Sequence, residues 1–145
     1  MTALEHARQL LVAWVQNWQV PEDNRLDAQI MPSNLLPAVQ ALDEHGWGYL
    51  MAITGLDSGA EAGKLEVLYH FCSGSAVLTL RVTTPREQAA VPSICTIVPY
   101  ASVFERELVE MFGVEVVGTP DPSRLYLPDD WTEGVYPLRK DAKLD

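Results

Sequence analysis

The stretch that decides the fold is Lys64-Leu65-Glu66-Val67-Leu68-Tyr69-His70-Phe71-Cys72-Ser73-Gly74-Ser75-Ala76-Val77-Leu78-Thr79-Leu80-Arg81-Val82-Thr83-Thr84. Its side chains alternate: Leu65, Val67, Tyr69 and Phe71 fall on one side, with Glu66, Leu68, His70 and Cys72 on the other. After Ser73-Gly74-Ser75 the pattern resumes, with Ala76, Leu78, Leu80 and Val82 opposite Val77, Thr79, Arg81 and Thr83. Period two on both sides of a short Ser/Gly turn predicts a β-hairpin. Upstream, Trp47 to Leu56 is apolar and β-prone and runs into Asp57-Ser58-Gly59, so the hairpin extends to an antiparallel meander over 47–84.

Toward the N-terminus, Leu26 to Met31 reads as a short strand, with Ala28 and Ile30 facing away from Asp27 and Gln29. Between it and the meander, 33–42 predicts a helix with Leu35, Leu36, Val39 and Leu42 on one face. Pro37 fits its first turn and Gly46 stops it. At the start of the chain Leu4, Ala7, Leu11, Trp14 and Trp18 follow helical spacing. They predict one helix capped by Thr2 with Glu5 and ending at Asn17, both tryptophans packing in the core.

Beyond the meander, 85–92 reads as a loop and 93–98 as a short extended piece. Ser102-Val103-Phe104-Glu105 has the form of a capping box, opening a helix over 102–112 that stops at Gly113. Phe104, Leu108, Met111 and Phe112 make its apolar side, while Glu105, Arg106, Glu107 and Glu110 make a charged one. Arg106 and Glu110 have the spacing of an exposed ion pair, worth about 0.2–0.5 kcal/mol. Val114 to Val117 reads as a strand. From Gly118 to Asp141 four prolines in 24 residues preclude a long helix, so that segment lies across a surface, its own sheet's or a partner's. The expected fold is α+β: helices packed on a mixed, largely antiparallel sheet of about five strands. Residues 1–117 form the core domain and 118–145 an irregular Pro-rich C-terminal extension.

Composition narrows function. The 145 residues carry 20 acidic and 10 basic side chains, a net charge of −10. That balance argues against nucleic acid, which is held by clustered Lys and Arg, and against a basic membrane-docking patch. Cys72 and Cys95 lack CxxC spacing, and with His6, His45 and His70 scattered they do not make a four-ligand metal or iron–sulfur site. His70 stands alone on its strand and reads as structural. The N-terminus has neither a basic leader region nor a span-length apolar run, so the expectation is a soluble, cytoplasmic protein. Glu105 and Glu107 lie about 200° apart around a helix, unsuited to acting as an acid/base pair. Nucleophile-elbow, HExxH, P-loop and GxGxxG motifs are absent, which argues against an autonomous enzyme.

The run Glu105-Arg106-Glu107-Leu108-Val109-Glu110-Met111-Phe112-Gly113 resembles the signature helix of the respiratory complex I 30-kDa subunit family, the C-type subunits of NADH-quinone oxidoreductase. Gly118, Pro120-Asp121, Arg124, Leu127-Pro128-Asp129-Asp130-Trp131 and Pro137-Leu138-Arg139-Lys140-Asp141 continue that pattern in the same order. A looser likeness includes Ile53-Thr54-Gly55-Leu56-Asp57. Departures fall at Glu110 for the usual Asp, Thr119 for the usual His, Ser123 for a basic residue, and in a longer stretch between Trp131 and Pro137. Gly134-Val135-Tyr136-Pro137 is similar to the related subunit of membrane-bound energy-converting [NiFe] hydrogenases.

The resemblance implies a non-catalytic assembly subunit of the hydrophilic arm, packed on the large hydrogenase-like (D-type) subunit beside iron–sulfur subunits. Flavin, iron–sulfur clusters, nickel–iron, NADH and quinone would belong to partner subunits alone, and the membrane would be reached only through the complex, on its cytoplasmic face. The implied partner-interface residues are Glu105, Arg106, Glu107, Glu110, Arg124, Asp129, Asp130, Trp131, Arg139 and Lys140. Arg124 and Arg139 are expected to pair with Glu105, Glu107 or acidic groups of the partner. The alternative is a stand-alone protein-binding adaptor outside any redox complex.

Overall fold

The computed structural model describes residues 1–142. The last three positions of the expected extension, 143–145, lie outside the described residues. Thr2 caps α1 (Ala3–Leu11): its hydroxyl accepts from the Glu5 N–H while the Glu5 carboxylate accepts from the Thr2 N–H, both at 3.1 Å. The helix ends earlier than its apolar spacing predicts. Trp14 lies beyond it and Trp18 lies in β1 (Val15–Gln19), which pairs antiparallel with β2 (Arg25–Ile30). Pairing with β2 satisfies this backbone and overrides the helical period. Trp18 keeps a link to α1, since the Arg8 guanidinium stands 5.0 Å from its ring centroid.

After β2 a 3-10 turn, Pro32–Asn34, leads into α2 (Leu35–Glu44), with Pro37 in its first turn as expected. The meander follows as β3 (Tyr49–Asp57), β4 (Lys64–Ser73) and β5 (Ala76–Pro85). Trp47 precedes β3, buried, and donates through Nε1 to the Ala3 carbonyl at 2.8 Å. The five strands run in the order β1-β2-β5-β4-β3; every pairing is antiparallel except β2 with β5.

Register carries the sequence alternation across the sheet. Leu26, Ala28 and Ile30 stand beside Leu78, Leu80 and Val82, which stand beside Phe71, Tyr69 and Val67. This continuous apolar face is covered by helices. The other face carries Asp27, Gln29, Glu66, His70, Thr79 and Arg81. There Arg81 bridges Glu66 at 3.0 Å and Asp27 at 3.2 Å, while His70 lies between Thr54 and Thr79 hydroxyls at 2.9 and 3.0 Å.

Two expectations for the chain after β5 are corrected. The loop at 85–92 contains β6 (Ala90–Pro92), which pairs in parallel with β7 (Glu115–Val117) in a second, two-stranded sheet. Residues 93–98 are a turn rather than an extended piece, with Ile97 and Val98 N–H groups both donating to the Ile94 carbonyl. A further 3-10 turn, Pro99–Ala101, then enters α3 (Ser102–Phe112). α3 crosses β3 on the covered face. A Cβ at Gly55 would meet the Phe112 ring at 2.5 Å, so a bare backbone is what allows that ring to lie flat on the strand.

Candidate functional site

The signature helix does not form the expected capping box. Ala101 occupies the N-cap without a side-chain bond, because the preceding 3-10 turn already supplies a carbonyl of Pro99 to the Ser102 N–H. Glu105 is thereby released and points inward, 2 % exposed. Its Oε1 accepts from Ser93 Oγ at 2.8 Å, Thr119 Oγ1 at 3.1 Å and Cys95 Sγ at 3.1 Å, and its Oε2 accepts from the Ile94 N–H at 2.9 Å. One carboxylate thus ties α3 to the turns that follow β6 and β7. Burial pushes the Cys95 thiol up to about 11, opposed by the Ser93 hydrogen bond and reinforced by the Glu105 carboxylate. Burial, with Glu105 next, also drives the Tyr69 phenol far above its ordinary value.

The charged side of α3 is therefore not a solvated face, and the expected Arg106–Glu110 pair is not among its ion pairs. Each residue instead grips the backbone of 121–126 by opposite polarity. Arg106 donates through Nε to the Ser123 carbonyl at 3.0 Å and through Nη2 to the Arg124 carbonyl at 2.7 Å, with Asp121 at 3.6 Å. Glu110, 7 % exposed, accepts from the Leu125 N–H at 2.5 Å and the Tyr126 N–H at 2.9 Å. A helix face carrying a cation and an anion one turn apart suits a turn whose carbonyls and N–H groups point the same way.

The C-terminal segment returns to the end of α3. Gly113 takes φ +68° as the helix stop, and the Tyr136 ring covers it so closely that a Cβ there would stand 2.3 Å from the ring. The Leu138 N–H donates to the Met111 carbonyl at 3.0 Å, and Arg139 Nε donates to the Phe112 carbonyl at 2.6 Å, with its guanidinium 5.0 Å from the Tyr136 ring centroid. Both are carbonyls that a helix leaves without intrahelical partners.

The final anchor is a pair outside the expected partner-interface residues. Asp57, at the end of β3, and Arg86, just after β5, are 4 % and 5 % exposed. They form a two-pronged ion pair, with Arg86 Nη2 3.0 Å from Asp57 Oδ2 and Nη1 against Oδ1. Asp57 also accepts from the Lys140 N–H at 2.6 Å and the Gly59 N–H at 2.8 Å, and Arg86 reaches Asp141 at 2.8 Å. The Arg86 bonds, then the Lys140 and Gly59 N–H groups, outweigh burial and hold the Asp57 carboxyl well below the usual carboxylate range. Strand alternation was the available signal: Ile53, Gly55 and Asp57 share the covered face, and a charge there requires a buried partner.

The remaining expected residues divide. Arg124 donates to the Trp131 carbonyl at 3.4 Å and the half-buried Trp131 donates to the Val135 carbonyl at 2.9 Å. Arg124 and Arg139 therefore meet backbone carbonyls, not Glu105 or Glu107, because unsatisfied helix-end and turn carbonyls lie closer. Asp129, Asp130 and the Lys140 side chain are exposed, and Glu107 is half-buried with no side-chain partner among the described residues. Val109, Arg124, Leu127, Trp131, Val135 and Tyr136 line an open groove of about 390 Å³ between α3 and the returning segment. Among the described residues no three His, Cys, Asp or Glu side chains are grouped to hold a metal ion, and no helix is long and apolar enough to cross a membrane.

The overall α+β fold recurs among solved structures. It superposes on a chain of the membrane-bound sulfane sulfur reductase, an archaeal respiratory membrane complex, with TM-score 0.80 and 23 % identity, covering 97 % of this chain and 85 % of that one. The trypsin-resistant fragment of Nqo5 shares the fold at TM-score 0.65 and 20 % identity, covering 81 % and 95 %. The family model described as respiratory-chain NADH dehydrogenase, 30 Kd subunit, matches residues 28–145, and the chain belongs to that family. It is 33 % identical to the C subunit of NADH-quinone oxidoreductase from Moorella thermoacetica over 130 residues, 87 % of this chain and 86 % of that one. It is 37 % identical to hydrogenase-4 component G of Escherichia coli over 128 residues, 86 % of this chain but 22 % of that longer protein. Against the membrane-bound hydrogenase subunit beta of Pyrococcus furiosus the identity is 40 % over 89 residues, 60 % of this chain and 51 % of that one.

Proposed function

We propose that this chain is a non-catalytic structural subunit of the hydrophilic arm of a complex I-type NADH:quinone oxidoreductase or a related membrane-bound [NiFe] hydrogenase. Its partner is the large hydrogenase-like subunit, with iron–sulfur subunits alongside, on the cytoplasmic face of the membrane. The observation that carries the reading is the use made of the signature charges. Glu105, Glu110 and Arg106 are spent on internal hydrogen bonds that fix turns and strap to α3. That arrangement supports a scaffold role, since the buried carboxylates have their acceptor positions filled. The family supplies the setting: relatives carry names of oxidoreductase subunits and hydrogenase components. One relative, 36 % identical over 110 residues, is named as the C/D subunit of NADH-quinone oxidoreductase, which supports a D-type neighbour. The flavin, clusters and nickel–iron centre are assigned to partner subunits.

The charges left over, half-buried Glu107 and exposed Asp129, Asp130 and Lys140, face the partner in this reading. Co-expression with the large subunit tests it. The pair co-purifies, and Glu107→Lys weakens that co-purification while the isolated variant unfolds at the wild-type temperature, because Glu107 has no internal partner to lose. Recovery of the chain free of every redox subunit, under conditions where the large subunit is folded, overturns the proposal and leaves the adaptor reading.

A further inference from the structure

The sheet has two terminal strands, β1 and β3, and among the described residues neither outer edge is paired to another strand. β1 bears the exposed amides Gln16, Asn17 and Gln19, the polar surface with which a sheet blunts a free edge. β3 is built differently. Tyr49, Met51 and Leu56 are 61 %, 45 % and 40 % exposed along it, and Tyr100, 52 % exposed, continues the patch from the turn before α3. Among the described residues no backbone group of another segment bonds that edge, and the one side chain aimed at it is Tyr100, whose Oη donates to the Leu50 carbonyl at 2.7 Å. A long edge strand with unpaired backbone and large apolar side chains is a template for strand addition, and its persistence in a water-facing position marks an interface.

Charge selects the occupant. A second copy would bring two bodies of −10 together edge to edge, and Asp43 already shares the cleft of Tyr49 and Tyr100. We infer that the outer edge of β3 is completed by an extended segment of a different protein chain, apolar at alternate positions and flanked by Lys or Arg. The inference rests on the subunit reading above and names the surface and the partner chemistry. The added strand continues the sheet past β3. Half of its side chains then lie beside Tyr49 and Leu56 on the open face, and the Tyr100 hydroxyl marks where pairing begins. A displaced bulge opposite Phe71 places Met51 out of simple alternation, at the centre of the patch.

Amide hydrogen exchange over residues 50–57, read in the isolated full-length chain and in the complex co-expressed with the large hydrogenase-like and iron–sulfur subunits, tests this. Alternate amides of β3 slow by roughly tenfold or more on assembly. The variant Met51→Lys/Leu56→Lys keeps the isolated chain's unfolding temperature, since both side chains are exposed, and loses assembly. A complex that forms with β3 exchange unchanged, or that tolerates the double variant, overturns the inference and leaves the subunit reading standing. No complex at all overturns both. Protection already present in the isolated chain and rising with its concentration assigns the edge to a second copy and overturns the choice of partner.

Discussion

Asp57→Asn is the most informative perturbation of the strap. Both members of the Asp57–Arg86 pair are about 95 % buried, so neutralising the carboxylate leaves a guanidinium with little water to replace it. Breaking one side of a buried pair costs about 3–5 kcal/mol. Asp141 still holds Arg86 Nη2, and its own side chain is 57 % exposed, which places the expected loss near the lower figure, about 3 kcal/mol. For a domain of this size that corresponds to a fall in Tm of about 10 °C. Removing both charges with Asp57→Asn/Arg86→Met costs less than the sum of the single changes by about 2 kcal/mol, because no buried unpaired charge is left and Asp141 is largely in water.

The same group fixes an acid signature. Its folded-state pKa lies below its unfolded value of about 3.9, so its contribution is complete above that pH and is lost as pH falls through the lower folded value. The gap between wild type and Asp57→Asn is therefore full at pH 7 and narrows below about pH 4. Urea unfolding followed by tryptophan fluorescence, at pH 7 and pH 3, measures both. A loss under about 1 kcal/mol at pH 7, or strict additivity in the double variant, refutes the reasoning.

Glu105→Ala strands the donors of Ser93, Ile94 and Thr119 in a dry site and costs about 3 kcal/mol in urea unfolding, with Glu105→Gln costing less. Gly113→Ala forces a Cβ against Tyr136 at a left-handed backbone position and lowers stability by about 2 kcal/mol; in a Tyr136→Ala background the penalty drops to the backbone strain alone, about 1 kcal/mol. His70 is depressed mainly by burial and then by Arg25, so it favours the folded state above its unfolded pKa of about 6.5 and costs stability as pH falls below that. His70→Gln flattens the Tm profile between pH 7.5 and 5; an unchanged slope removes His70 from the account.

The sheet was legible because alternation is a local signal with a long-range meaning: Leu65, Val67, Tyr69 and Phe71 identify the face their whole strand buries. Trp14 and Trp18 show where the same logic misleads. Their spacing fits a helix, but residues 15–19 gain a ladder with β2 that nothing in residues 1–20 announces. The strands β6 and β7 have three residues each, too few to display a period, and they pair across 25 positions. At the site, family motifs drew attention to Glu105, Arg106 and Glu110, while the geometry around them depended on partners far along the chain. Glu105 looked like a cap because Ser102 stood three residues before it. Its actual donors come from residues 93–95 and 119. Asp57 and Arg86 became a site only through a fold that brings the end of β3 to the end of β5.

The strap's last anchor also orders events in time during synthesis. Arg86 leaves the ribosome 55 residues before Asp141 and 54 before the Lys140 N–H that helps hold Asp57. At about 5–20 residues per second that interval is roughly 3–10 s. During it the meander is complete, while the carbonyls at the end of α3 and one side of the Asp57–Arg86 pair still face water. The meander is thus made but unlatched for seconds, while first α3 and β7 and only then the strap follow it out.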